Sequence, residues 1–257
     1  AMRRAFRASD AEHMQRLFIV TVFALAFAGC GGSSSSGTMP AAQPAKVRFV
    51  DGAPALQAYS NGTLQTLGTA YLQLGSQTVV SIFQYGSMSS FLPVAAGAHS
   101  LTARNTIGYF VGPLQTTALS PGQRYTLIVV GSYPHYRVLT FEEPAASSNA
   151  SVSLYEASPT VSQAAFGSFK ASTGANLKRL GSARFGSLAT VSLGKSAPDV
   201  GGYAGQSSSP LGKLTPSQIN SFDIDNVLPF AQQSRLSLFL FDRKSASTPR
   251  VFGSLDQ

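Results

Sequence analysis

The 257-residue chain has one cysteine, no tryptophan, three histidines and 11 acidic residues. Each scarcity excludes something. Cys30 cannot close a disulfide within its own chain, so its thiol is free, paired with another molecule or chemically modified. The histidines beyond residue 29, His99 and His135, have no second His or Cys at ligand spacing, which argues against a zinc site. The Gly-x-Ser-x-Gly elbow of hydrolases is absent, and no set of acid, base and nucleophile can be assembled. The chain is therefore expected to be non-enzymatic and to carry no cofactor. Among the few acids, Asp223 and Asp225 precede Asn226 and could contribute to a calcium site, or else share one exposed face of a strand. Glu142 and Glu143, ahead of Pro144, read as the solvated end of a domain.

Leu17 to Phe27 runs eleven residues without a charge, after Arg16 and before the small residues Ala28 and Gly29. That is shorter than the roughly 20 helical residues a bilayer requires, and it fits a secretory signal starting at Met2 or Met14. With Cys30 next, the segment resembles the lipobox of bacterial lipoproteins, although Phe27 stands where that motif favours Leu. The resemblance implies lipid on the Cys30 sulfur, cleavage after Gly29, and usually acylation of the new amino terminus. Membrane attachment would then run through Cys30, and Gly31 in place of Asp is compatible with outer-membrane sorting.

Glycine, serine and proline dominate Gly31 to Pro44, a stretch with almost nothing to bury. It reads as a flexible tether with a span on the order of 20 Å. Beyond it, five basic and three acidic residues give Ala45 to Pro144 a formal charge of +2, and ten against six give Ala150 to Gln257 +4. The basic side chains are dispersed, as on a solvated surface, and for an exported protein nucleic acid is not the expected partner.

Short alternating runs follow: VRFV (Val47 to Val50), TAYLQLG (Thr69 to Gly75), TVVSIFQYG (Thr78 to Gly86), HSLTAR (His99 to Arg104), RYTLIVVG (Arg124 to Gly131) and YRVLTFEE (Tyr136 to Glu143). Asn61-Gly62 signals a hairpin turn, and Pro93, Ala96-Gly97 and Pro121-Gly122 mark breaks. Strands at this spacing, without an amphipathic helix, predict a sandwich. The pattern also repeats: AKVRFVDGAPALQAYSNG from Ala45 aligns without gaps to ASVSLYEASPTVSQAAFG from Ala150. Further on, Tyr85-Gly86-Ser87 matches Phe185-Gly186-Ser187, Leu119-Ser120-Pro121 matches Leu214-Thr215-Pro216, and Phe141-Glu142 matches Phe241-Asp242. A tandem duplication is the simplest account.

VRFVDGAPALQAYSNG, YGSMSSFLPVAAGAHSLTAR and LSPGQRYTLIVVGS resemble the opening, middle and late strands of the bacterial envelope domain called domain-of-unknown-function family 4397. That family implies tandem β-sandwiches on secreted or lipid-anchored proteins, and no catalytic residues come with it. The match covers Ala45 to Pro144 best. In the second half Lys213 to Asn226, containing LTPSQINSFDIDN, stands where the Tyr-Thr-Leu strand is expected.

The remaining candidate is a loop. Tyr133, His135 and Tyr136, with Arg137 alongside, could stack on sugar rings or fill a partner's pocket, or the tyrosines could be half-buried packing. The expectation is an all-β protein with two tandem immunoglobulin-like β-sandwich domains after a signal peptide and tether. Residues 1–29 form the signal, 30–44 the lipidated Cys30 and tether, 45–146 the first domain and 147–257 the second, diverged one. Its expected role is structural or interaction work at a bacterial envelope, lipid-anchored and facing the periplasm or the surface. Polysaccharide binding is the alternative.

Overall fold

β-Branched and aromatic residues alternate between turns, and the chain folds accordingly as strand after strand. The computed structural model describes residues 42–145, 149–169, 178–194, 199–204, 212–214, 235–242 and 250–256, and these contain no helix. Cys30, the segments around it, Asp223 and Asp225 lie outside the described residues. The first half holds β1 (Ala45–Asp51), β2 (Gln57–Ser60), β3 (Thr63–Thr66), β4 (Ala70–Leu74), β5 (Gln77–Phe83), β6 (Leu92–Val94), β7 (Ser100–Arg104), β8 (Phe110–Gln115), β9 (Arg124–Ser132) and β10 (His135–Glu142). The second holds β11 (Ala150–Glu156), β12 (Gln163–Phe169), β13 (Lys178–Arg184), β14 (Leu188–Gly194), β15 (Asp199–Ala204), β16 (Gly212–Leu214), β17 (Arg235–Phe241) and β18 (Arg250–Asp256).

Each half pairs two four-stranded sheets. The first has orders β10-β9-β1-β6 and β5-β4-β7-β8; the second has β14-β11-β17-β18 and β13-β12-β15-β16. The two orders correspond, and among the described residues the β2–β3 hairpin is extra to the first half. In both, the opening strand runs parallel to a late one: Lys46 lies opposite Arg124 on β9, and Ser151 opposite Arg235 on β17. Thus the late strand of the second half is RLSLFLF, beyond the Lys213 to Asn226 segment where the repeat alignment expects it. Pro93 and Pro113 sit inside β6 and β8, both at sheet edges, where a missing N–H costs no ladder bond.

The sheets stack in four layers, as the alternation along the inner strands shows. Val47 and Phe49 of β1 pack with Leu72, Phe83 and Leu101 inside the first sandwich. Val152 and Leu154 of β11 do the same with Phe166 and Leu238 inside the second. The residues between them point the other way, into a third core shared by both halves: Val50, Ile128, Val130 and Phe141 against Tyr155, Ala157, Phe239 and Phe241. Consequently β11 is buried along its whole length and β1 at every position but Lys46. Fully burying one such apolar side chain is worth about 1.5–3 kcal/mol. Gly52 permits the close approach, since a Cβ there would lie 2.7 Å from Cδ1 of Phe241.

A polar network crosses this shared core. The Arg48 side chain donates from Nε to Thr126 Oγ1 at 2.6 Å, and from Nη2 to Glu143 Oε1 (3.2 Å), Tyr155 Oη (3.1 Å) and Ser237 Oγ (3.0 Å). Tyr155 Oη and Thr126 Oγ1 also donate to the Glu143 carboxylate, and Arg235 Nη1 pairs with it at 3.1 Å. Phe91 and Phe239 flank the Arg48 guanidinium at 5.0 and 5.3 Å. Glu143 is therefore no solvated domain end: its side chain is fully buried between two arginines. Paired charges of this kind lose hydration on burial, and good hydrogen-bond geometry offsets the loss.

Candidate functional site

Three turns of the first sandwich converge on an open cleft of about 520 Å³. The β2–β3 hairpin is one wall. Its turn uses Asn61 and Gly62 at φ 48° and 79°, both in the left-handed region, as an Asn-Gly hairpin requires. Tyr59 precedes that turn and donates from its hydroxyl to Gly62 O at 3.0 Å. The β7–β8 connection is the second wall. Asn105 organises it by accepting from Tyr109 N (2.9 Å) and donating to Leu67 O (3.3 Å), which ties the turn to the chain entering β4. The β9–β10 turn, Tyr133-Pro134, closes the third side.

The lining is aromatic and uncharged. Tyr59, Phe110 and Tyr133 are 61%, 48% and 39% exposed, large values for such side chains. The rings of Tyr59 and Tyr133 stack at 6.4 Å with an interplanar angle of 23°, one from each wall. Gln57, Ser60 and Tyr109 add hydrogen-bonding groups, and among the described lining residues none is Asp, Glu, Lys, Arg or His. Arg104 is outside the lining, with its guanidinium 5.2 Å from the Phe110 ring centre.

The four loop residues singled out from sequence separate here. Tyr133 lines the cleft with its ring exposed. Tyr136 lines its floor but is a fastening: its hydroxyl donates to Ala55 O (2.7 Å) and accepts from Gln57 N (2.9 Å), and burial raises its pKa above the ordinary tyrosine value. His135 is exposed and outside the lining. Arg137 leaves on the opposite face of β10, where it covers the Phe185 ring of the second sandwich at 4.5 Å. Tyr59, Tyr109 and Phe110 are the residues that sequence reasoning passed over. Their common signal is position, each being an aromatic within three residues of a turn glycine, Gly62 or Gly108.

A second, smaller cavity of about 290 Å³ opens beside Asp51, Pro54, Thr66 and Tyr85. Asp51 is buried and accepts from Ala53 N at 2.9 Å, and its pKa is pushed up to about 7, by desolvation first and despite that bond. Its counterpart on β11 is Glu156, which accepts from Ser158 N at 2.9 Å and whose pKa is pushed up to about 8, again by desolvation first. Among the described residues no group of three or more His, Cys, Asp or Glu side chains could hold a metal ion.

Curated proteins yield no match to the chain. The family comparison does, and its span runs past the first sandwich through β11 into the opening of β12. Residues 45–164 match the model described as Domain of unknown function (DUF4397), so the chain carries a DUF4397 domain over that stretch.

Proposed function

We propose that this is a lipid-anchored, non-enzymatic binding protein of a bacterial envelope, in which Cys30 holds the membrane, residues 31–44 act as a tether, and a duplicated pair of sandwiches presents a ligand site. The observation that carries the binding role is the cleft between Tyr59, Phe110 and Tyr133. Exposed stacked rings over an uncharged, amide- and hydroxyl-bearing floor suit a neutral polysaccharide. Pyranose faces lie on aromatic rings, while hydroxyls meet Gln57, Ser60 and Tyr109. The duplication is supported by the matching strand orders and by the two parallel pairings in equivalent register.

Affinity electrophoresis through gels containing neutral envelope or extracellular glycans tests the site. Tyr59→Ala and Tyr133→Ala should each reduce retardation about tenfold, equivalent to about 1.4 kcal/mol, with the melting temperature retained. Equal migration of parent and variants through every neutral glycan would remove the polysaccharide reading. Protease shaving of intact cells would separately establish whether the sandwiches face the surface or the periplasm.

A further inference from the structure

The contact between the two sandwiches is reciprocal at its turn glycines. When one patch is used on both sides of an interface, a contact of i with j requires a contact of j with i. Register identifies the equivalent residues. Val50 lies opposite Ile128 and Ile128 opposite Leu139; in the second half Tyr155 lies opposite Phe239 and Phe239 opposite Phe252. Leu139 and Phe252 therefore hold the same place. Gly86 and Gly186 are likewise matched, since their amides donate to Asp51 O (2.7 Å) and Glu156 O (2.8 Å).

Across the joint, Gly86 of the first half faces the Phe252 ring of the second, with 2.8 Å from a built Cβ to Cε1. In return Gly186 of the second half faces Leu139 of the first, with 3.9 Å to Cδ2. The residues before these glycines also cross. Tyr85 packs edge-on against Phe252 at 5.5 Å, and Phe185 lies under Arg137.

The centre breaks this symmetry. Arg48 is bracketed by Thr126 and by Ser237, which are equivalent hydroxyls, one from each half. The place equivalent to Arg48 on β11 is Ser153, buried and bonded to Thr190 within its own half. One guanidinium thus occupies the middle, where two identical halves would bring two.

We infer that the chain is a fused pseudo-twofold dimer whose inner sheet face, β10-β9-β1-β6, is a docking face for its own second sandwich and, because of Arg48, not for another copy of the first. This goes beyond the ligand reading and does not depend on it. It rests on the second half being a copy of the first. The covalent link is then unnecessary for pairing once both halves have folded.

The test uses the full chain with a specific protease site replacing residues 146–148. The uncut variant should melt with the parent, which shows that the replacement is tolerated. After cutting, native mass spectrometry at micromolar concentration should show a one-to-one complex of the two fragments. Fragments that separate as folded monomers, or a first fragment that pairs with itself, would overturn the inference. Arg48→Ser together with Glu143→Gln, which removes the buried carboxylate along with the guanidinium, adds a second reading in the cut chain. It should bring measurable first-half homodimers where the parent has none, and their absence would count against Arg48 as the discriminating group.

Discussion

Arg48 Nη2 and Glu143 Oε1 lie 3.2 Å apart, with both side chains withdrawn from solvent, and the hydroxyls that complete their bonding come from both sandwiches. The pair ties the opening strand of the chain to the residue that leaves the first sandwich. Through Tyr155 and Ser237 it also bonds one half to the other.

Removing Glu143 strands the buried Arg48 guanidinium, whereas removing Arg48 leaves Glu143 with Arg235 as its remaining ion partner. Glu143→Gln should destabilise the protein by about 3–5 kcal/mol and Arg48→Met by less, read from urea unfolding. The double variant should lose clearly less than the two losses added together, because Glu143→Gln strands no Arg48 guanidinium once Arg48 is gone. Additive losses would mean that the two groups act independently.

The buried acids make stability depend on pH. In the folded chain the pKa values of Asp51 and Glu156 are raised to about 7 and about 8 from ordinary values of 3.8 and 4.5. Between those limits the folded protein keeps protons that the unfolded chain has released, so their contribution is greatest below about 4 and is lost as pH rises toward 8. Unfolding midpoints measured from pH 4 to 9 should fall and then level off. In Asp51→Asn with Glu156→Gln the fall should flatten, and an unchanged slope would reject these two groups as its source.

Gly52 has no room for a methyl group beside Phe241 and Ile128. Gly52→Ala should cost about 1–3 kcal/mol through overpacking, and Phe241→Leu in the same chain should restore some of it. A neutral Gly52→Ala would show that the joint yields locally.

Cys30→Ala addresses the anchor. The variant should accumulate as an uncleaved precursor without acyl chains, seen by intact mass and by palmitate labelling. Mature acylated protein in that variant would refute the lipoprotein assignment.

Much of this fold could be read locally and some could not. The six runs named from sequence all contain strands, and Asn61-Gly62 makes the turn its residue types dictate. Three-residue β6 and proline-containing β8 carry too little pattern to stand out. The alignment of the halves holds in register from Ala45 and Ala150 to Ala53 and Ser158, breaks where the β2–β3 hairpin has no counterpart among the described residues, and is met again at Gly86 and Gly186. Gly62 turns a hairpin while Gly167 lies inside β12, and Phe141 is on β10 while Phe241 is on β17. Glu143 reads as solvated from sequence because its partners Arg48 and Arg235 are distant along the chain. The cleft is hidden for the same reason: its walls are three separate turns, and no window contains more than one.

The position of β1 has a mechanical meaning. The chain enters the body at Ala45, at the head of a strand held on one side by β6 and on the other, in parallel, by β9. A pull at that point along the strand loads the whole β1–β9 ladder at once, in shear, and must also drag Arg48 out of its ring of partners. A sandwich pulled through a central strand in this way resists opening better than one pulled through an edge, where bonds would open in succession like a zip.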